Sequence, residues 1–220
     1  MEQVIQQVKL LLENDNSGHG FDHIERVLEL SLRFCEKENA NKEVVSLIAL
    51  LHDVDDYKLF GKENAEALPN ANKILNICKI DEDIKKHVLD EIKCIGYSKA
   101  LKGIRPCTIE GKIVSDADMC DASGAHGLLR CYAYSMKIKQ PFFNRELFPI
   151  ENISHEKYTT YDSTSVNHLF EKILKLKDYM LTDEGKKEAI KRHTAVVCFL
   201  KEYFNEENAN EWLEYLKEYE

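Results

Sequence analysis

Basic side chains are in the minority in this sequence, and so are the residues that interrupt helices. The 220 residues include 30 lysines and arginines against 39 aspartates and glutamates, which gives a formal net charge of −9. A surface of that sign repels phosphate backbones and no cluster of basic residues offsets it, so we expect no nucleic-acid partner. Four prolines and nine glycines suit long helices better than a sandwich of many short strands.

Paired cysteines and long hydrophobic runs are also missing. The seven cysteines are odd in number and none forms a C-x-x-C pair, which argues against a disulfide framework or a zinc ribbon. The longest mainly apolar run, at 44–51, is far shorter than the roughly 20 residues that span a bilayer. The N-terminus has charges inside its apolar stretch, unlike a signal peptide. We therefore expect a cytoplasmic protein with no membrane partner.

Apolar residues recur at helical spacing through most of the chain. Residues 140–163 lack any period, and we interpret them as a long loop that could act as a lid. No repeat or composition shift marks a second domain, so we expect one all-α domain over 1–220, with its core at about 18–138 and C-terminal helices over 164–218. The predicted helices cover about 2–13, 23–39, 42–55, 63–79, 81–95, 109–137, 164–181, 184–204 and 209–218.

Three short segments carry side chains that commonly bind metal ions, and each lies on or near a predicted helix end. Their sequences are GHGFDHIERV at 18–27, LHDVDDYK at 51–58 and SDADMCDA at 115–122. In the last segment the acids lie among apolar residues. Burying carboxylates is costly unless a cation or hydrogen bonds compensate, so this segment is a candidate for an ion site.

His52 and Asp53 are adjacent at the end of the most apolar predicted helix. At a frayed C-terminal turn both side chains can converge on one ion, and an imidazole with a carboxylate suits a divalent metal. Asp56 lies one turn after His52 and Asp55 lies nearly on the same side, where a carboxylate could orient a water or take its proton. A polar helix end explains the segment equally well. The lone His23 is, by itself, more often a packing residue.

The order of these segments resembles the HD superfamily of metal-dependent phosphohydrolases. Residues 18–27 are similar to the opening helix of the family, and LIALLHDVDDYK at 47–58 is similar to its apolar helix ending in His-Asp. VSDADMCDASGA at 114–125 and the stretch 167–193, with its Thr-x-x-Gly turn and later arginine, resemble one bacterial branch of small HD hydrolases. The His-Asp pair alone is a weak motif, whereas all four segments in order, spanning about 18–205, are a specific one.

The resemblance implies an all-α HD-domain helical bundle around one divalent metal ion, whose identity among Mn, Mg, Fe, Co, Ni and Zn stays open. Asp116 and Asp121 become supporting acids. Met119 and Cys120 replace the usual Arg-Leu of the branch, which weakens the case for a phosphate contact there. The implied metal ligands are His23, His52, Asp53 and Asp118, the catalytic acids are Asp56, Asp53 and Asp55, and the substrate-binding residues are Arg26, Lys58, Lys172, Arg192 and His19.

The same resemblance implies a phosphohydrolase whose small-molecule substrate is a nucleotide. Hydrolysis of a phosphoanhydride bond ranks first and hydrolysis of a nucleoside monophosphate second, and an alarmone hydrolase stays open through the His-Asp-x-Asp-Asp pattern. Gly96-Tyr97 is not followed by proline, which disfavours a cyclic-dinucleotide phosphodiesterase. The competing class is a non-catalytic HD regulatory module that binds metal or nucleotide.

One apolar stripe near the C-terminus bears on self-association. Trp212, Leu213, Tyr215 and Leu216 recur at helical spacing. Such stripes usually join the core of their own domain, and we expect that here. A homodimer formed through this stripe is the alternative.

Overall fold

The computed structural model describes residues 1–13, 20–150 and 163–220, and at Lys58 only the backbone. Within these ranges the secondary structure is helical and no strand occurs, as the all-α prediction requires. The 3₁₀ helices Ile173–Tyr179 and Lys217–Tyr219 follow the eleventh and thirteenth α-helices. The α-helices are α1 Glu2–Leu12, α2 Phe21–Glu38, α3 Lys42–Leu51, α4 Tyr57–Phe60, α5 Lys62–Ala67, α6 Pro69–Ile77, α7 Glu82–Ile92, α8 Tyr97–Ala100, α9 Ile109–Asp121, α10 Gly124–Ile138, α11 Ser165–Glu171, α12 Asp183–Glu206 and α13 Asn210–Leu216.

Backbone contacts divide the chain into two compact units. The first unit comprises Met1–Met119 with Met180–Gly185, and the second comprises Cys120–Tyr179 with Lys186–Glu220. The chain passes from one unit to the other inside α9 and at both ends of the short stretch 180–185. The single domain expected over 1–220 stays a prediction.

The centre of the first unit is α3. Every residue from Val44 to Leu51 is buried, and the helix packs against α1, α2 and α7. Its start is defined by Asn41, whose side-chain oxygen accepts hydrogen bonds from the backbone N–H groups of Glu43 and Val44. A capped helix that is apolar on all sides can only be stable in the interior. The residues that follow Leu51 therefore start from the core of the unit.

Several predicted helices differ in the structure. The helix expected over 42–55 ends at Leu51, and the helix expected over 164–181 ends at Glu171 and is followed by a 3₁₀ helix. Two others are broken. The helix expected over 63–79 ends at Ala67, because Leu68 adopts left-handed dihedrals (φ 53°) and Pro69 opens α6. A residue before proline is disfavoured in the right-handed helical region, which explains the break. The helix expected over 109–137 is interrupted by extended Ser123 and by Gly124 at φ 65°, a value that glycine tolerates best.

Aromatic side chains form the core of the second unit. Trp212 stacks on Phe148 with ring centroids 4.3 Å apart, and it also contacts Phe143, Phe170 and Phe204. The indole Nε1 donates a hydrogen bond to the carbonyl of Arg145 at 2.9 Å, so the polar edge of the ring is also satisfied. The C-terminal stripe thus packs on its own unit, as expected from the sequence.

The segment proposed as a lid is described only in part. Residues 140–150 contain neither helix nor strand, and residues 151–162 lie outside the described ranges. Among the described residues, no helix combines the length and the apolar character needed to cross a bilayer.

Replacing Trp212 with alanine should lower the free energy of unfolding by about 3–5 kcal/mol, because a fully buried aromatic side chain and one hydrogen bond are lost. Urea unfolding followed by far-UV circular dichroism measures the change. The matched control is Tyr134→Ala, at an exposed aromatic residue of the same unit, for which a change within about 0.5 kcal/mol is expected. Equal effects for the two variants would contradict the assignment of Trp212 to the core.

Candidate metal centre

Histidine and aspartate side chains from three separate parts of the first unit meet at one point. His23 lies in the first turn of α2, His52 and Asp53 follow the last residue of α3, and Asp118 lies on α9. After Leu51 the backbone continues in tight turns, with Val54 N–H bonded to Leu51 O and Asp56 N–H bonded to Asp53 O. In a continuing helix the side chains of His52 and Asp53 would point about 100° apart. The tight turns instead let both side chains approach the same point.

The distances within this group are short. The Nε2 atoms of His23 and His52 are 3.3 Å apart. His23 Nε2 lies 3.4 Å from Asp53 Oδ2 and 3.5 Å from Asp118 Oδ1. His52 Nε2 lies 3.7 Å from Asp53 Oδ1 and 3.9 Å from Asp118 Oδ1. All four predicted ligands are therefore brought together, and we call them the His/Asp cluster.

The protonation of His52 follows from its surroundings. Its Nδ1 lies 2.8 Å from the carbonyl oxygen of Ala49, which can only accept a hydrogen bond. Nδ1 therefore carries a proton, and in the neutral ring the lone pair is on Nε2, directed into the cluster. A histidine that is oriented by a backbone carbonyl in this way is typical of metal ligands.

The cluster fits a divalent metal ion. Donor atoms that bind one ion at about 2.0–2.2 Å lie roughly 3–4 Å from one another, which matches the observed separations. One donor atom from each of His23, His52 and Asp118 lies within 4.8 Å of the other two. Two imidazole nitrogens and carboxylate oxygens are a donor set for Zn²⁺, Mn²⁺ or Fe²⁺, with harder ions favoured by the acids.

Solvent reaches the cluster from the carboxylate side. The imidazole side chains of His23 and His52 are each only 1% exposed, whereas those of Asp53 and Asp118 are 14% and 23% exposed. The carboxylates are therefore the part of the cluster that solvent reaches, and a catalytic metal site needs such access for water or substrate.

Comparison with known proteins agrees with this geometry. The family model for the HD domain matches residues 20–123. A solved HD-superfamily hydrolase from Bacillus thuringiensis is 33% identical, with 94% of this chain and 96% of that chain covered and a TM-score of 0.74. The chain belongs to the HD superfamily. It is thereby classed with the HD-superfamily hydrolases, and the family and fold expected from the sequence are confirmed.

Two further relatives resemble this HD-superfamily protein over nearly their whole length. A solved protein from Lactobacillus plantarum is 30% identical, with 94% of this chain and 95% of that chain covered and a TM-score of 0.79. YpgQ of Bacillus subtilis is 29% identical over 91% of this chain and 90% of its own. The structure of YpgQ in complex with ADP is 26% identical, covers 93% of both chains and has a TM-score of 0.70.

Asp116 lies near the His/Asp cluster in sequence but is not one of its four members. Its fully buried carboxylate accepts hydrogen bonds from the backbone N–H groups of Leu181 and Thr182 and from the Thr182 hydroxyl, at 2.8–3.0 Å. Burial raises the pKa of Asp116 to about 6, and these hydrogen bonds act in the opposite direction. Through them Asp116 ties the turn at 180–185 to α9, two residues before Asp118.

Gly185 makes this contact sterically feasible. A Cβ atom at position 185 would lie 2.2 Å from Asp116 Oδ2, closer than real Cβ contacts allow. The Gly185 N–H also donates to the Thr182 hydroxyl at 3.0 Å. The Thr-x-x-Gly segment, which is similar to one in the HD family, therefore binds the buried carboxylate of Asp116 through hydrogen bonds and leaves space for it at Gly185.

Asp55 occupies a structural position at the start of α6. Its two carboxylate oxygens accept hydrogen bonds from the N–H groups of Asn70 and Ala71 at 3.1 and 2.9 Å, and the side chain of Asn70 donates to Val54 O. Burial raises the pKa of Asp55, and the two backbone hydrogen bonds offset part of that rise. A catalytic role for Asp55 stays a prediction, and the observed role of its oxygens is to cap α6.

The predicted substrate-binding residues belong in part to the first unit, in part to the second, and in part lie outside the described residues. Arg26 forms an ion pair with Asp22 at 2.8 Å. Lys172 and Arg192 belong to the second unit, where Arg192 donates to Glu188 and to the carbonyl of Cys120. His19 lies outside the described ranges, and the side chain of Lys58 is not described. Substrate contact by any of the five stays a prediction.

Two supporting groups could not be assigned from the sequence. The carbonyl of Ala49 orients His52, but every residue has a carbonyl and no sequence signal marks this one. The partners of Asp116 at Leu181 and Thr182 lie more than sixty residues away in the chain. The Thr-x-x-Gly pattern indicated a turn at this point of the sequence. It did not indicate that Asp116 would be the acid that binds to it.

Gly185→Ala and Asp116→Asn should both weaken the first unit, because each disrupts the same hydrogen-bonded carboxylate. We expect about 1–3 kcal/mol of lost stability for either variant, measured by urea unfolding. Metal affinity should fall in both, because the turn at 180–185 no longer fixes the part of α9 that carries Asp118. Asp178→Asn, at an exposed acid, serves as the control and should change neither quantity. Unaltered metal affinity in two destabilised variants would limit Asp116 to a purely structural role.

Proposed function

We propose that this protein is a divalent-metal-dependent phosphohydrolase that acts on nucleotides. The observation that carries the proposal is the His/Asp cluster, in which the two imidazole Nε2 atoms lie 3.3 Å apart and each lies 3.4–3.9 Å from an oxygen of Asp53 and of Asp118. His23, His52, Asp53 and Asp118 would hold the ion. When bound, a divalent ion neutralises charge on a phosphoryl oxygen and lowers the pKa of water.

The residues of the chain supply orientation and proton transfer. Asp53 and Asp118 are the more exposed members of the cluster, and their oxygens can accept hydrogen bonds from a water that approaches the site. Asp56 is half-buried, and its backbone N–H donates a hydrogen bond to Asp53 O at 3.1 Å. It therefore belongs to the same turn as the proposed ligand Asp53. We assign Asp56 to orienting the attacking water and accepting its proton. The carbonyl of Ala49 orients the His52 ring so that Nε2 faces the cluster.

The nucleotide part of the proposal is supported by a relative. YpgQ has been crystallised in complex with ADP, and it aligns with this chain over 93% of both lengths. In a chain with a net charge of −9, substrate phosphates need local positive charge. We assign that role to Arg26, Lys58, Lys172 and Arg192, with His19 as a further contact. A phosphoanhydride bond is the proposed site of cleavage, and a phosphate ester ranks second.

Metal analysis and a phosphate and pyrophosphate release assay test this function together. The purified protein should bind about one divalent ion per chain and release phosphate or pyrophosphate from nucleoside tri- or diphosphates with added Mn²⁺, Mg²⁺ or Co²⁺. His52→Ala should abolish metal binding and lower turnover by at least about 100-fold, because one donor atom is lost. His126→Ala, at an exposed histidine of α10, is the matched control and should retain both properties.

Each other outcome has a defined meaning. No metal binding after reconstitution would reject the cluster as a metal site. One metal ion per chain with nucleotide binding but no product release would reject the enzyme and favour a regulatory HD module. Turnover that survives His52→Ala would place the chemistry elsewhere in the molecule.

Asp56→Asn separates proton transfer from metal binding. We expect kcat to fall by about 100-fold or more while metal content stays near one ion per chain, because asparagine can neither accept the proton nor act as a base. Asp83→Asn, at an exposed acid on α7, should leave kcat unchanged. Asp55→Asn should mainly lower stability, because it removes part of the α6 cap. If Asp55→Asn instead lost kcat at full stability, the water-handling role would belong to Asp55.

A further inference from the structure

Two cysteines flank the surface loop that connects α7 with α9 in the first unit and contains α8. Cys94 lies two residues after the end of α7, and Cys107 lies two residues before the start of α9. Between them the backbone has positive φ values at Gly96 and Gly103, and Gly103 is exposed together with both of its neighbours. A glycine-containing surface connection of this kind can adjust its backbone when its two ends are drawn together.

Glu91 holds the two ends of this loop together. Its backbone carbonyl accepts a hydrogen bond from the N–H of Cys94 at 2.9 Å. Its side-chain Oε1 accepts a hydrogen bond from the N–H of Thr108, the residue after Cys107, at 3.2 Å. A Cβ atom at Gly111 would overlap Glu91 Oε2, so the first turn of α9 packs directly on this buried carboxylate. One residue therefore contacts the chain beside both cysteines.

The two thiols differ in accessibility and influence each other. Cys107 is exposed, whereas Cys94 is partly buried and its Sγ lies 3.6 Å from the carbonyl oxygen of Asp90. Burial raises the pKa of the Cys94 thiol most, and negative charge on Glu91 and then on Cys107 raises this pKa further. Such an effect of one thiolate on the other requires that the two side chains lie near each other. An accessible thiol thus lies beside a more protected one.

The loop is also a basic part of an acidic chain. Between Glu91 and Glu110 the sequence contains no aspartate or glutamate, and it contains four basic residues, Lys93, Lys99, Lys102 and Arg105. Positive charge stabilises the thiolate, which is the reactive form of cysteine. Lys99 acts in this direction on the pKa of Cys94. Exposure, positive surroundings and a second thiol nearby are the features of cysteines that react with peroxides.

We propose that Cys94 and Cys107 form a reversible disulfide when the protein reacts with hydrogen peroxide. The Cys107 thiolate attacks one peroxide oxygen, the O–O bond breaks, hydroxide leaves and Cys107 becomes a sulfenic acid. The Cys94 thiolate then attacks the Cys107 sulfur, forms the S–S bond and displaces a second hydroxide. The protons released by the two thiols convert both hydroxides to water, so two thiols are oxidised and one peroxide is reduced. The disulfide joins the end of α7 to the start of α9, the helix that carries Asp118.

Peptide mapping of the full-length protein tests the disulfide and includes an internal control for separation along the chain. Cys120 follows Cys107 by the same number of positions that separate Cys107 from Cys94, but Cys120 is buried. The protein is treated with a small molar excess of hydrogen peroxide, its remaining thiols are alkylated, and the digest is analysed by mass spectrometry. The Cys94–Cys107 linkage should exceed the Cys107–Cys120 linkage at least about 10-fold. In urea the two should form about equally, because the entropy of closing a flexible loop depends on its length.

Serine variants separate the two steps of the reaction. Cys94→Ser should stop at the Cys107 sulfenic acid, which dimedone labels, because no second thiol attacks it. Serine can still donate a hydrogen bond to the carbonyl of Asp90, so this variant should keep the circular dichroism spectrum of the wild type. Cys107→Ser should leave Cys94 reduced under the same treatment. The matched control is Cys198→Ser, at another exposed cysteine, which should form the Cys94–Cys107 disulfide as the wild type does. Dithiothreitol should restore both thiols.

Three results would overturn the proposal. An equal ratio of the two linkages in the folded and the urea-unfolded protein would show that the fold does not bring Cys94 and Cys107 together. Oxidation of Cys107 to a sulfinic or sulfonic acid while Cys94 stays reduced would make Cys107 an isolated surface thiol. Cross-linking of two chains through Cys107, without the internal disulfide, would lead to the same conclusion.

Discussion

The crowding of two imidazoles and two carboxylates into a small, largely buried space is the interaction on which the rest of the site depends. Polar groups withdrawn from water are stable only when their charge and hydrogen-bonding capacity are compensated, and a divalent cation does both at once. The first unit is arranged to bring these groups together. α3 is buried from Val44 to Leu51, so the His52-Asp53 pair extends from the core toward His23 and Asp118.

Other acids near the cluster serve the structure, and each does so by accepting backbone hydrogen bonds. Asp55 caps α6, and Asp116 holds the turn at 180–185. Both are buried acids whose pKa is raised by desolvation and lowered by the N–H groups they accept. Neighbouring carboxylates therefore have different hydrogen-bond partners because their surroundings differ.

The second unit uses its aromatic residues in two ways. Trp212 and the rings around it fill an interior, where close packing and a satisfied indole N–H give stability. Tyr132 and Phe199 are connected to that interior through Phe142 but remain exposed.

The sequence alone predicted the helices and the burial of α3, because the spacing of apolar residues indicates which helix faces are buried. It also predicted the members of the His/Asp cluster, because the order of the four motifs is specific. The sequence also indicated that the Trp212 stripe packs on its own chain. Only the tertiary structure decided that Asp55 caps α6, that Thr182 and Gly185 enclose Asp116, and that Tyr132 on α10 faces solvent. Each of these facts depends on contacts between residues distant in the chain or on which face of a helix is left uncovered. Local spacing carries information about helix faces but none about which neighbour covers them.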